Sequence, residues 1–411
     1  MKEEQRINGL PKDWKVVRLG DYAKTEKGKK PKAVSKEPTK EFSIPYVNIK
    51  AFEQNIIDEY TNGVGCVLCE DDDFLMVWDG SRSGYVGKAI KGALGSTLVK
   101  IKLPEVDHDF AYFFLQSKFV EINSRAKGVG IPHVDPTLVW NYSLPLPPKE
   151  IQQQIVSKIE ELFSELDKGI EELKTAQQQL KVYRQAVLKW AFEGRLTNED
   201  VKDGELPEGW KNETLGKIAK FINGDRGKNY PNRNEYVEKG VAFINTGHIE
   251  PNGKLSLTTM HYLTREKFNS LNSGKIIKGD LVYCLRGATL GKTAIVDQFD
   301  EGAIASSLVI IRLNREISNR FVYYFLTGPI GRDNIFRFDN GSAQPNLSAK
   351  SVTLYKIPIP SFDEQQKVVQ EIESRLSVCD KIEETITDSL KQAEALRQSI
   401  LKKAFEGKLA N

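Results

Sequence analysis

The chain has 411 residues, 28% of them charged and 40% hydrophobic, an ordinary composition for a globular protein with room for two or three cores. A formal net charge of +3 excludes a uniformly basic surface, so any attraction for nucleic acid has to be local. Four cysteines argue against a disulfide framework, no stretch reaches the roughly 20 apolar residues of a membrane span, and the polar amino-terminal segment has no apolar signal core, so a soluble intracellular protein is expected.

In chain order, residues 44–49, 74–78 and 97–101 have the β-branched and aromatic character of strands, and 108–118 that of a short helix. This mixed α/β part, 1–148, ends at Pro145, Pro147 and Pro148, which set the start of a long helix over about 149–192. Ile155, Ile159, Leu162, Leu166, Gly169, Leu173, Ala176, Leu180, Tyr183, Val187 and Trp190 alternate by four and three along it, the seam of a coiled coil. A second α/β part follows, with strands at 241–245, 281–285 and 307–311 and a helix at 318–327. Pro358 and Pro360 precede a capping box, Ser361 to Glu364, and a second long helix over about 362–405. The expected segments are therefore 1–148, 149–196, 197–360 and 361–411. Each long helix carries an apolar stripe that a lone helix could not hide, so the two are expected to pair. Connectivity makes the pairing antiparallel, with each helix about 65 Å long at about 1.5 Å per residue, a spacer between two globular parts.

The chain is written twice. Residues 181–196, KVYRQAVLKWAFEGRL, align with 394–409, EALRQSILKKAFEGKL, with nine of sixteen positions identical. Leu10-Pro11-Lys12-Asp13-Trp14 matches Leu206-Pro207-Glu208-Gly209-Trp210, and Gly87-Lys88 is aligned with Gly291-Lys292. Phe110 to Leu115 matches Phe321 to Leu326, Pro145-Leu146-Pro147 matches Pro358-Ile359-Pro360, and Gln152-Gln153 matches Gln365-Gln366. A unit of about 200 residues is too long for a solenoid repeat, which implies a duplicated domain plus connector and a pseudo-twofold molecule. Duplex DNA is the commonest partner with matching symmetry.

No catalytic constellation is legible. Gly287-Ala288-Thr289-Leu290-Gly291-Lys292-Thr293 has three residues between glycines where a phosphate loop needs four, and reads instead as a hairpin turn presenting Arg286, Thr289 and Lys292. Its counterpart presents Arg82, Ser83, Tyr85 and Lys88. Cys66 and Cys69 lack a second pair to complete a zinc site, and the four histidines are scattered. Polar loops are more telling. Lys27, Lys29, Lys30 and Lys32 crowd one glycine-bearing stretch, whose counterpart holds Arg226, Lys228, Asn229, Tyr230 and Arg233. A second loop pair, just before the proline-rich boundaries, offers Arg125, Lys127 and His133 in one copy and Arg337, Asn340, Ser342, Gln344 and Asn346 in the other. Lysine and arginine suit phosphates, and Arg, Asn and Gln make bidentate contacts to base edges. A solvated loop with no partner is the plain alternative for each.

These residues resemble the specificity subunit of type I restriction-modification enzymes. The marks are Leu-Pro-x-x-Trp at the start of each half, the Pro-Leu-Pro and Pro-Ile-Pro junctions running to Gln-Gln, and the two Ala-Phe-Glu-Gly ends, and the match covers essentially the whole chain. Gly341-Ser342-Ala343-Gln344-Pro345 also looks like the family's pre-helix motif, whereas Gly128-Val129-Gly130-Ile131-Pro132 lacks the glutamine. The resemblance implies α/β (α+β) target-recognition domains in two pseudo-twofold copies, separated by a long antiparallel two-helix coiled coil. It implies a non-catalytic role in a prokaryotic cytoplasm. Each domain would read one half of a bipartite site in double-stranded DNA. The helices would set the unread gap and dock two modification (methyltransferase) subunits, with motor-nuclease restriction subunits joining them. No cofactor is expected in this chain, with S-adenosylmethionine, ATP and Mg held by those partners. A coiled-coil scaffold that binds only proteins is the competing reading.

Overall fold

The computed structural model describes residues 10–198, 200–202, 204–338 and 346–409. Contacts divide the chain into two units: 1–174 together with 387–411, and 175–386.

The first unit opens on a two-stranded antiparallel ribbon, Lys15–Arg18 against Ser143–Leu146, with Val16 opposite Pro145. The proline sits in a two-stranded ribbon, where its missing N–H breaks no interior ladder. A four-stranded antiparallel sheet follows in the order Lys24–Lys27, Leu98–Lys102, Phe74–Val77, Val86–Lys88. Phe74 to Val77 is buried along its whole length, because both faces of that central strand are covered. One face packs on the helix His108–Ser117, and the other on a second, smaller sheet whose strands Ile44–Val47 and Gly92–Leu94 run parallel.

The second unit repeats this plan. Its ribbon pairs Lys211–Thr214 with Lys356–Ile359, and Asn212 faces Pro358 as Val16 faces Pro145. Its four-stranded sheet has the order Ala219–Asn223, Leu308–Leu313, Leu281–Cys284, Thr293–Ile295. In its second sheet Val241–Ile244 and Glu301–Ile304 are the parallel pair, and Tyr236–Val237 is an added edge strand. The long helices run Lys149–Phe192 and Phe362–Phe405, as the prolines and glycines predict.

Each mark of the repeat has a structural job, done once per unit. The buried Gln152 accepts from the N–H of Asp107 and donates to the carbonyl of Pro147, both at 2.8 Å. Gln365 accepts from the N–H of Ser318 at 2.8 Å and donates to the carbonyl of Pro360 at 3.1 Å. Phe405 wedges edge-on against Phe110 and Phe114, and Phe192 against Phe321 and Phe325. Gly407 and Gly194 end the helices at φ of 71° and 78°, and a Cβ on either would strike Pro11 or Pro207. The prolines of Leu-Pro-x-x-Trp are thus seats for the helix ends.

The helix pairing is written twice as well. Arg397 binds Asp167 and lies 4.4 Å over the ring of Phe163 in the first unit, while Arg184 donates to Asp380 at 2.7 Å and Glu383 at 2.9 Å in the second. The order of these contacts along the chain makes the pairing antiparallel. The heptad seam is buried at Ile155, Ile159, Leu180 and Val187 but only partly covered between them; its Tyr183 is exposed, as are the apolar Ile382 and Leu396 of the second helix. The capping box is half formed. Ser361 Oγ accepts from the N–H of Glu364, whose carboxylate instead receives Thr197 and Asn198. Among the described residues no helix is long and apolar enough to cross a membrane.

Candidate nucleic-acid interface

Antiparallel pairing brings three loops to one end of the four-stranded sheet in each unit. In the first they are the stretch after Lys27, the turn after Val77, and the segment 125–134, joined by the N–H of Val134 donating to the carbonyl of Trp78 at 2.9 Å. In the second they are the stretch after Asn223, the turn after Cys284, and the chain around Asn346, joined by the N–H of Leu347 donating to the carbonyl of Leu285 at 2.9 Å. The loops singled out in the sequence therefore do converge. Gly28 and Gly224 start the first loop in each unit and lie so close to the facing strand turn that a Cβ would come within 2.1 Å and 2.5 Å of a carbonyl oxygen. Only glycine lets the basic loop cross there.

The turns share one backbone. Gly80 and Gly84 have φ of 130° and 92°, and Gly287 and Gly291 have φ of 79° and 82°. The N–H of Gly84 donates to Val77 and that of Gly291 to Cys284, while Tyr85 closes on Arg82 as Lys292 closes on Thr289. This geometry corrects the sequence alignment by three residues: Gly84-Tyr85, not Gly87-Lys88, corresponds to Gly291-Lys292. Lys88 consequently stands at the opposite end of the sheet, opposite Phe74, bound to Asp109 at 3.3 Å, and is withdrawn from the interface.

Ser83 is withdrawn too. It is 0% exposed, and its hydroxyl donates to the carbonyls of Gly80 and Pro132, holding the turn against the neighbouring loop. Tyr85 is half-buried between Phe52 and Phe119, with Arg82 stacked 4.0 Å over its ring and 3.4 Å from Glu53. Arg125 and Lys127 are exposed but neutralised, by Glu121 at 3.3 Å and Asp135 at 2.7 Å. Lys27 donates to Asp79 at 2.9 Å. Lys29, Lys30 and Lys32 project into solvent with no acidic partner among the described residues, and His133 is exposed, its backbone bridged to Asp79.

In the second unit Arg286 occupies the position of Asp79, and Asn346 that of His133; each pair forms the same isolated bridge. Arg226, Lys228, Arg233, Arg286 and Arg337 are exposed without an acidic partner among the described residues, and Arg226 also donates to the carbonyl of Ser306 at 3.4 Å. Asn229 is committed to the carbonyl of Ser270 at 2.8 Å, and Tyr230 packs on Phe243, so both serve the loop's own shape. Thr289 lies 3.5 Å from the thiol of Cys284, and Lys292 donates to the carbonyl of Ile249 at 3.4 Å. Asn340, Ser342 and Gln344 lie outside the described residues.

Sequence reasoning missed several groups. Asp225 anchors the basic loop by accepting the N–H of Gly227 and of Asn272, each at 2.7 Å, and these bonds hold its carboxyl below the usual range. Asn123 donates to the carbonyls of Ser81 and Ser83, stapling the first turn. Its aligned partner is Phe336, which cannot do so and is 80% exposed. Arg332 and Lys292 replace the aromatic pair Phe119 and Tyr85, which leaves a cavity of about 560 Å³ behind the second turn, walled by Tyr323, Ile335 and Phe336. None of these carried a motif; only the contacts expose them. Cys69 is buried and donates to the carbonyls of Ile90 and Gly92, with burial pushing its thiol up to about 11, so it is a packed group and not a thiolate ligand. Among the described residues no group of three or more His, Cys, Asp or Glu is placed to hold a metal ion.

A family model for the type I restriction modification DNA specificity domain matches residues 11–175 and again 207–392. The chain is 30% identical to the type I restriction enzyme MjaVIII specificity subunit of Methanocaldococcus jannaschii, over 99% of this chain and 96% of that one. It is 26% identical to the EcoBI specificity subunit of Escherichia coli, over 99% and 89%. Among solved structures it resembles a chain from a study of complex assembly and conformational transition in the type I R-M system, with TM-score 0.70, 19% identity and coverage of 97% and 99%. It also resembles the HsdS subunit from Thermoanaerobacter tengcongensis, with TM-score 0.59, 20% identity and coverage of 97% and 98%. With both halves matched by the same model and a relative aligned end to end, the chain belongs to the family of type I restriction-modification DNA specificity subunits.

Proposed function

We propose that this chain is the non-catalytic, DNA-reading subunit of a prokaryotic type I restriction-modification complex, working in the cytoplasm. One observation carries the reading: corresponding segments converge on the same sheet end in both units, and the turn among them keeps one backbone while presenting different side chains. A scaffold that bound only proteins would have no reason to keep the backbone and vary the tips. Each unit reads one half of a bipartite site, with phosphate contacts from the exposed lysines and arginines and base contacts from the turn and the pre-helix loop. The paired helices set the unread gap and carry two modification subunits, to which motor-nuclease subunits join. S-adenosylmethionine, ATP and Mg are bound by those partners.

The test is a genome-wide map of adenine methylation in cells expressing the chain with its modification subunit, against cells lacking the chain. A chain-dependent split motif with a fixed gap is the expected outcome. A stable, active complex that adds no motif favours the protein-only scaffold. Deleting one heptad from both helices should shorten the gap and leave both half-sites unchanged, since geometry sets half-site spacing.

A further inference from the structure

The loop 126–134 in the first unit has a tip that its charges conceal. Lys127 and His133 exchange both backbone hydrogen bonds, at 2.9 Å and 2.7 Å, and so close a small loop between them. Gly128 makes the closure possible: its φ is 112°, and a Cβ there would lie 2.6 Å from the carbonyl oxygen of Ile131. The base of the loop is fastened to the turn, because the carbonyl of Pro132 accepts the N–H of Gly80 at 2.8 Å and the hydroxyl of Ser83 at 3.0 Å. Arg125, just before the loop, and Lys127, within it, are spent on Glu121 and Asp135. What the loop offers outward is Val129, 105% exposed, and Ile131, 69% exposed.

We propose that Val129 and Ile131 read thymine, by packing on C5-methyl groups in the major groove of the bound duplex. The proposal rests on the DNA-reading function and names the base chemistry of its first half. A rigidly held apolar tip has one thing to recognise on a base-pair edge, the thymine methyl. Its setting is that of a DNA face: it shares the sheet end with Lys29, Lys30 and Lys32, which have no acidic partner among the described residues. In the aligned sequence of the second half, Ser342 and Gln344 stand at these two positions, so the halves differ here in kind, apolar against polar.

The experiment uses the full chain in its complex with the modification subunit and a duplex carrying the chain-dependent methylation motif. Thymines are replaced by deoxyuridine in one half-site, then in the other, and binding is measured. Removing a buried methyl should weaken binding about fourfold, the equivalent of about 0.8 kcal/mol. This loss is expected in one half only, and the double variant Val129→Ala, Ile131→Ala should bind the thymine and uracil duplexes equally. A variant that loses the same factor on both duplexes overturns the proposal, as does a wild-type complex whose affinity is unchanged by deoxyuridine in either half-site. A variant that reads DNA normally but no longer assembles with the modification subunit assigns the tip to a protein contact and also overturns it. Failure of the wild-type complex to bind its motif at all sinks the DNA-reading function itself, and is distinguishable from a silent uracil substitution. Because both side chains are exposed, an unchanged thermal melt is expected for the variant.

Discussion

The turns at Gly80–Tyr85 and Gly287–Lys292 have the same glycines at positive φ, the same closing hydrogen bonds and the same anchoring strand end. Their side chains have little in common. Asp79 answers to Arg286, Arg82 to Thr289, Tyr85 to Lys292, and the staple Asn123 to the exposed Phe336. In the first unit the space behind the turn is filled by aromatics packed edge to face; in the second it is a cavity bordered by Lys292 and Arg332. The joints show the opposite tendency, since Gln152 and Gln365, and Phe192 and Phe405, make the same contacts through the same side chains. Backbone is preserved where the loops must be aimed, side chains are preserved where pieces must fit, and both are free only at the tips.

The comparison breaks first if the joints are not equivalent. Phe192→Ala and Phe405→Ala should each destabilise their own unit by about 3–5 kcal/mol, as for other buried aromatics. Chemical denaturation of the two variants checks this, and a joint that tolerates truncation would end the equivalence. Next come the turns. Gly84→Ala and Gly291→Ala put a Cβ 2.4 Å from Ile122 and from Ile335, at positive φ, and should each cost about 1–3 kcal/mol and impair one half-site. Loss of both half-sites from either substitution would deny that the units read separately.

Charge sharpens the contrast. Arg286→Ala should cost about 1–3 kcal/mol on the second half-site if the guanidinium makes a bidentate base contact. Equal loss on every sequence would mark it as a phosphate contact. Asp79→Asn releases Lys27, so the salt dependence of DNA binding should steepen by about one counterion. The smallest effect concerns the long helix. A Cβ at Gly169 would meet only open space, so Gly169→Ala should stabilise by about 1 kcal/mol without touching DNA binding.

Acid should also act on the second unit's basic loop. Asp225 has its carboxyl depressed by backbone N–H donors in the folded state. The stability it contributes is present above the unfolded value near 4 and is lost as pH falls through the lower folded value. Asp225→Asn should therefore flatten the acid limb of the second unit's stability below about pH 4. An unchanged limb would remove Asp225 as the loop's anchor.

The long helices are legible to the residue, because proline and glycine act locally and leave little choice at a helix end. The loop pairs are legible because charge and glycine cluster there. The three-residue slip at Gly84 is not: the dipeptide Gly-Lys recurs at 87–88 and 291–292, and identity outweighs a hydrogen-bond pattern that sequence does not display. Nor is the neutralisation of Arg125 and Lys127, which depends on where Glu121 and Asp135 fold back. Ser83 reads as available because a hydroxyl in a glycine-rich turn looks the same whether it faces water or two carbonyls. In the second sheet of each unit only Ile44–Val47 and Val241–Ile244 are legible, because their partner strands of two to four residues are too short to show a period.

The first unit is assembled from two stretches of chain, and its core includes Ile400, Leu401, Ala404 and Phe405. The second is one continuous stretch. During synthesis the second unit has all its residues before the first does, although the first began earlier. At roughly 5–20 residues per second, the opening half waits about 10–45 s for its last core residues. A chain cut short just before residue 387 thus keeps every residue of the second unit and lacks part of the first unit's core.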